Sequence, residues 1–148
     1  MPRLLRFPAL PLVLACAHAS PPSPPAPAPP PCDLAAASGV PDGVEVRWPA
    51  AGERSPRVAT SGCIHREIRL PLRLRDRVPA QAAFQFVILA DGRMVGFRAP
   101  TEGMEPEFAC AVWRALSGCP WTPGRDAQGR PGAYWVELPI RFSAPPTR

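Results

Sequence analysis

Eight of the twelve residues from Ser20 to Pro31 are proline. Proline fixes φ and lacks an N–H, so this run can enter neither a helix interior nor a sheet ladder. It reads as a polyproline II spacer reaching ~35–40 Å at ~3.1 Å per residue. The 148-residue chain is therefore divided into a short leader, a tether and one small domain. The expected boundaries are a signal peptide over 1–19, a proline-rich and poorly ordered segment over 20–62, and a folded domain over 63–148.

The leader has the grammar of an export signal. Arg3 and Arg6 form a positive n-region, and Phe7 to Ala17 is apolar. That run is far short of the ~20 apolar residues a spanning helix needs. Pro8 and Pro11 argue against a buried N-terminal helix. Val13-Leu14-Ala15-Cys16 matches a bacterial lipobox, which makes Cys16 the candidate site of lipid attachment. Ala17-His18-Ala19 supplies an A-x-A alternative, with cleavage after Ala19. Both routes place the protein outside the cytoplasm. The expected location is the periplasm, with a membrane anchor through lipid at Cys16. The alternative is a soluble periplasmic or secreted form.

Export also gives the cysteines a meaning. Either cleavage removes Cys16 from the count, leaving Cys32, Cys63, Cys110 and Cys119 as disulfide candidates. Four cysteines allow three pairings. Pairing of Cys110 with Cys119 is disfavoured, because mostly helical chain at ~1.5 Å per residue would hold them too far apart. Cys63 with Cys119 is preferred, and the sequence leaves the choice open. No spacing among Cys63, His65, Cys110 and Cys119 fits a zinc pattern. No metal site and no cofactor are expected.

All seventeen basic residues are arginine, and lysine and asparagine are absent. Both missing residues have A-rich codons, so the arginine reflects a G+C-rich genome rather than a nucleic-acid surface. The charge is modest: without Arg3 and Arg6 the balance is 15 Arg against 12 acids, or +3. No block of five like charges occurs. Nucleic acid is not an expected partner.

Hydrophobic periodicity then outlines an α+β domain. Val44 to Trp48 is a candidate short strand. From Ile68 to Arg75, Ile68, Leu70, Leu72 and Leu74 alternate with Arg69, Pro71, Arg73 and Arg75, as in a half-buried edge strand. Its three arginines would share a solvated face. Phe84 to Ala90 and Met94 to Ala99 flank Asp91-Gly92, a type I′ hairpin signal. Folding there pairs Ile88 with Val95, Phe86 with Phe97 and Gln85 with Arg98. A helix should start near Pro106, with Glu105 and Glu107 at its positive end, and stop at Gly118 as C′. Phe108, Val112, Ala115 and Leu116 form its apolar stripe. In the last strand Tyr134, Val136, Leu138, Ile140 and Phe142 share one face and Trp135, Glu137, Pro139 and Arg141 the other. The expected fold is a small antiparallel β-β-α-β sheet with one helix on one face, and a candidate extra strand at its N-terminal side.

These pieces resemble the C-terminal domain of the TonB energy-transducer family. The resemblance spans about Arg77 to Phe142, a little under half the chain. It is carried by Phe86-Val87-Ile88-Leu89-Ala90-Asp91-Gly92-Arg93-Met94-Val95, Val112-Trp113-Arg114-Ala115-Leu116, Trp121-Thr122-Pro123-Gly124, Gly129-Arg130-Pro131 and Val136-Glu137-Leu138-Pro139-Ile140-Arg141-Phe142. It implies a periplasmic, non-enzymatic domain that grips an outer-membrane or periplasmic protein by adding a strand at a sheet edge. Ala133 to Ser143 is then the candidate edge, with Tyr134, Trp135, Glu137 and Arg141 as partner-binding residues. The chain departs from the family in two ways: it has no inner-membrane helix, and its tether is too short to cross a periplasm. It reads as a TonB-like domain detached from the motor. One alternative is a TonB-type transducer in outer-membrane import whose leader is retained as an anchor. Another is a small cysteine hydrolase using Cys110, or Cys63 with His65, for which a base within reach is required.

Overall fold

The computed structural model describes residues 32–77, 79–100 and 103–142. The expected signal peptide, Cys16 and the proline-rich run of 20–31 lie outside the described residues. The fold is α+β, a curled mixed sheet with a few helices. In chain order the elements are α1 (Leu34–Ala37), β1 (Val46–Arg47), β2 (Arg57–Val58), α2 (Cys63–Glu67), a 3₁₀ helix (Leu72–Arg77), β3 (Gln81–Ile88), β4 (Met94–Arg98), α3 (Pro106–Gly118), β5 (Trp121–Thr122), β6 (Gly124–Arg125) and β7 (Pro131–Arg141). The main sheet has the order β1-β7-β3-β4, with β6 also paired to β7, while β2 and β5 form a separate antiparallel pair.

The β3–β7 ladder is the backbone of the sheet. It is antiparallel and runs unbroken from Gln81 opposite Arg141 to Ile88 opposite Tyr134. Phe84, Phe86 and Ile88 point to one face and are fully buried with Val112 and Leu116 of α3. The predicted stripe of Phe108, Val112, Ala115 and Leu116 is buried throughout. Pro106 occupies the first turn of α3, where its missing N–H costs nothing. Gly118, however, does not act as a left-handed C′ residue. Cys119 precedes Pro120 and is extended, with φ −90° and ψ 140°. A residue before proline is driven from the helical region, so the dipeptide stops the helix.

The β3–β4 hairpin corrects the expected turn. Asp91 does not have a positive φ; only Gly92 does, at 87°. Leu89 N–H donates to Arg93 O at 2.9 Å, and Gly92 N–H to Leu89 O at 2.9 Å. This is a three-residue loop ending in a left-handed glycine, not a type I′ turn. Near the turn the register is Ile88 opposite Met94 and Val87 opposite Val95, one step from expectation. A bulge at Gly96, with φ 63°, takes up the extra residue. Beyond it Gln85 faces Arg98 as predicted, and Phe97 stacks on Phe84 with centroids 5.9 Å apart.

Two further expectations change. Ile68 to Arg75 is not a strand: α2 ends at Glu67, Pro71 interrupts, and the chain turns into the 3₁₀ helix. Leu74 is still buried, and Ile68 and Leu70 pack on the core. Arg73 and Arg77 pair with Glu107 and Glu105 at the start of α3, at 2.7 and 3.4 Å. The folded unit also begins well before Cys63. Residues from Cys32 onward belong to it, and β1 realises the candidate strand within Val44–Trp48, but in parallel to β7.

The segment from Cys32 to Trp48 is a strap around the sheet. Asp33 caps α1 by accepting from Ala36 N–H at 3.0 Å. Gly39 O then accepts from Gly96 N–H at 3.0 Å and so occupies the edge of β4. Val40 lies over Gly96, and Trp48 stacks on Trp135 on the sheet face opposite α3, with centroids 6.1 Å apart. The strap is tied to α3 by Cys32–Cys110, and α2 to the end of α3 by Cys63–Cys119, with Cα separations of 5.8 and 5.9 Å.

A Cβ on Gly96 would lie 2.8 Å from Val40 Cγ2 and 3.2 Å from Val87 Cγ2, at a φ of 63°. Gly96→Val should therefore lower unfolding free energy by about 2–4 kcal/mol, from left-handed strain and overpacking together. Urea denaturation checks this. Paired Cys32→Ser and Cys110→Ser changes should cost about 2–4 kcal/mol, and should raise amide exchange at Gly96, whose acceptor sits on the strap.

Candidate sheet-edge interface

Strand β7 has one neighbour along most of its length. Its other side meets β1 only at Ala133 and Tyr134. Among the described residues no strand pairs with that outer side beyond Trp135 as far as Arg141. The direction of each backbone group can be derived. Phe142 N–H donates to Ala80 O at 3.0 Å, one step beyond the Gln81–Arg141 pair. Bonded and non-bonded pairs alternate in an antiparallel ladder. Ile140, Leu138 and Val136 therefore bond to β3, whereas the backbone groups of Arg141, Pro139, Glu137 and Trp135 turn outward. This explains how Pro139 sits inside a long strand: the N–H it lacks would have faced the open side.

A groove of about 440 Å³ runs beside this edge. The strand contributes Leu138 to Arg141, β3 contributes Gln81, and the remaining lining is Val58, Gly62, Ile64 and His65. Disulfide Cys63–Cys119 fixes α2, and hence Ile64 and His65, against α3. The apolar wall comes from Ile64, Leu138 and Ile140. Exposed Arg141 supplies positive charge, and exposed His65 offers a ring donor or acceptor.

The four expected contact residues separate into three environments. Tyr134 is a correction: it is fully buried, and its hydroxyl accepts from Arg47 at 2.7 Å. Arg47 also binds Glu53 at 2.7 Å, and Glu53 in turn accepts from Ala50 N–H at 2.9 Å. This small network locks the turn after β1 onto Tyr134. Arg47 is held above its ordinary pKa, first by the Tyr134 hydrogen bond and then by the charge of Glu53, with desolvation opposing. Trp135 is half-buried between Trp48 and the Arg98 guanidinium, which lies 4.4 Å from its ring centroid. Glu137 and Arg141 remain exposed on the open edge, Glu137 accepting from Gln85 at 2.9 Å.

The sequence missed the α2 wall, because nothing local links Ile64 to Leu138. Cys63 and Cys110 are both in disulfides, so neither offers the thiolate that a cysteine hydrolase needs. Elsewhere two carboxylates organise hairpin loops. Asp91 is held below its ordinary pKa by the backbone and side-chain donors of Arg93. At Asp126 desolvation pushes upward, but the donors of Arg130 and Gln128 outweigh it and the net shift is downward. Among the described residues no helix is long and apolar enough to cross a membrane. Comparison with protein-family models, curated proteins and solved structures gives no match.

The alternation along β7 makes a sharp expectation. Glu137→Pro removes only an outward donor and should cost about 1 kcal/mol or less. Val136→Pro removes a bond to Phe86 and should cost about 3 kcal/mol or more. Denaturation midpoints of the two variants check it; equal losses would contradict the assigned direction of the backbone groups.

Proposed function

We propose that this protein is a periplasmic, non-enzymatic interaction module, anchored by lipid at Cys16, that binds an outer-membrane or periplasmic protein by strand addition to β7. The reading follows the resemblance to the TonB C-terminal domain, here detached from any motor. Its main support is the outer side of β7 beyond Trp135 as far as Arg141, which no described strand occupies. Such an edge offers a row of unpaired N–H and C=O groups, and alternating side chains add selectivity. At ~3.3 Å per residue the vacancy accepts a segment ~20 Å long. The adjoining groove would take every second side chain of that segment against Ile64, Leu138 and Ile140. The two disulfides suit an oxidising compartment.

The test is site-specific photocrosslinking in cells. A photoreactive residue at Arg141 should capture a distinct envelope protein, and one at Asp91, on the hairpin tip, should not. Introducing Glu137→Pro alongside the Arg141 probe should abolish the adduct. An adduct undiminished by that change would reject strand addition.

A further inference from the structure

The groove beside β7 has a polar end and an apolar end, and the strand register sets their order. Arg141 faces Gln81 in the ladder, and Leu138 faces Phe84. The two ends therefore lie three residues, ~10 Å, apart. Among the described residues no hydrogen bond or ion pair takes up the Arg141 guanidinium or the Gln81 amide. The backbone N–H of Arg141 also turns outward, and His65 of α2 lines the same groove. From Leu138 to Ile140 the wall is apolar, and Ile64 adds to it from α2. Pro139 brings no N–H to the middle of that wall. An alkyl chain laid there orphans no backbone donor, and the Pro139 carbonyl, on an exposed residue, stays hydrated. A peptide strand at the same place loses one hydrogen bond.

We propose that this groove is a binding site for a single-chain fatty acid. The carboxylate sits at the Arg141 end, where one guanidinium balances one negative charge and its planar fork matches two oxygens. Gln81 and His65 add donors. The alkyl chain runs from there along Ile140 and Leu138, against Ile64. A volume of about 440 Å³ is that of a small-ligand site, and one short apolar wall suits one chain rather than the two of a phospholipid. Disulfide Cys63–Cys119 holds α2, with Ile64 and His65, in place before any ligand arrives, so little ordering opposes binding. In the strand-addition reading the fatty acid and a partner strand occupy the same stretch of β7 and exclude each other. The ligand is then a regulator of docking, and that consequence alone rests on the strand-addition reading.

Isothermal titration with decanoate, kept below its micellar concentration, tests it on the full chain with its disulfides formed. Saturable one-to-one binding is expected. Decanol and decyltrimethylammonium should bind about tenfold more weakly or worse, because only the anion makes the charge-assisted contacts. Acetate, which keeps the charge and lacks the chain, should give no measurable heat. Arg141→Gln, an exposed change that leaves the core intact, should weaken decanoate binding about tenfold or more through loss of a hydrogen bond to a charged group. Arg93→Gln, at the hairpin tip, should leave it unchanged. No saturable decanoate binding overturns the proposal, as does equal affinity for the three ten-carbon compounds or an unchanged affinity in Arg141→Gln. Binding of a Cys16→Ser chain to phosphatidylglycerol vesicles, with no response to decanoate, would assign the face to a membrane surface and also overturns it. Decanoate binding in solution and an Arg141 photoadduct in cells are separate readouts, so this proposal and the strand-addition reading fail independently.

Discussion

The β3–β7 ladder is buried along one face and, at Val87, on the other as well, and this constraint organises the rest of the molecule. On one face Phe84, Phe86 and Ile88 lie under α3. On the other, Val87 is equally buried, and α3 cannot cover it. A sheet with a helix on one side only would expose Val87 and Trp135 to water. The strap from Cys32 to Trp48 supplies the missing layer, with Val40 reaching Gly96 beside Val87 and Trp48 on Trp135. What composition suggests is a loose continuation of the tether is structurally the second cover of the sheet. Its short strand β1 and the Arg47–Glu53–Tyr134 network hold its far end, and Cys32–Cys110 its near end.

The strap also decides which edge is left. At β4 it crosses the edge and Gly39 accepts from Gly96. At β7 it pairs for two residues and then departs at Trp48-Pro49. A proline there cannot donate to a continuing ladder. The β4 edge is thus held by the chain itself at Gly96, and the β7 edge only at its beginning. The asymmetry arises from the fold and not from the composition of either edge strand.

Much of this was legible in the sequence where the signal is local. The stripe on α3, the alternation along β7 and the strand before Asp91-Gly92 each follow from periodicity or turn chemistry, whereas chain geometry only disfavours Cys110–Cys119 and leaves the Cys63–Cys119 pairing a preference. The errors arise where tertiary context competes with a local pattern. The alternation from Ile68 to Arg75 is real, but Pro71 and the attachment of α2 through Cys63 turn it into successive bends that bury Leu74. The hairpin register slipped because a three-residue loop and a compensating bulge at Gly96 cancel each other over the length of β4. Tyr134 was read as a contact because it lies on the final strand; Arg47, eighty-seven positions away, makes it core. The α2 wall of the groove was invisible for the same reason.

Pro139 carries two opposing consequences. An unprotected edge strand is an aggregation hazard, and proline on the outward side is one of the ways proteins blunt it. Here the missing donor falls at the middle of the vacancy, between the groups of Glu137 and Arg141. Any strand that docks must accept a gap in the ladder at that point and recover the loss through side chains. Glu137 and Arg141 reward opposite charge, and Leu138 and Ile140 with Ile64 reward apolar side chains on alternate positions. In the proposed strand addition, the same proline that discourages indiscriminate pairing would shift recognition from backbone, which every peptide has, to sequence, which few share.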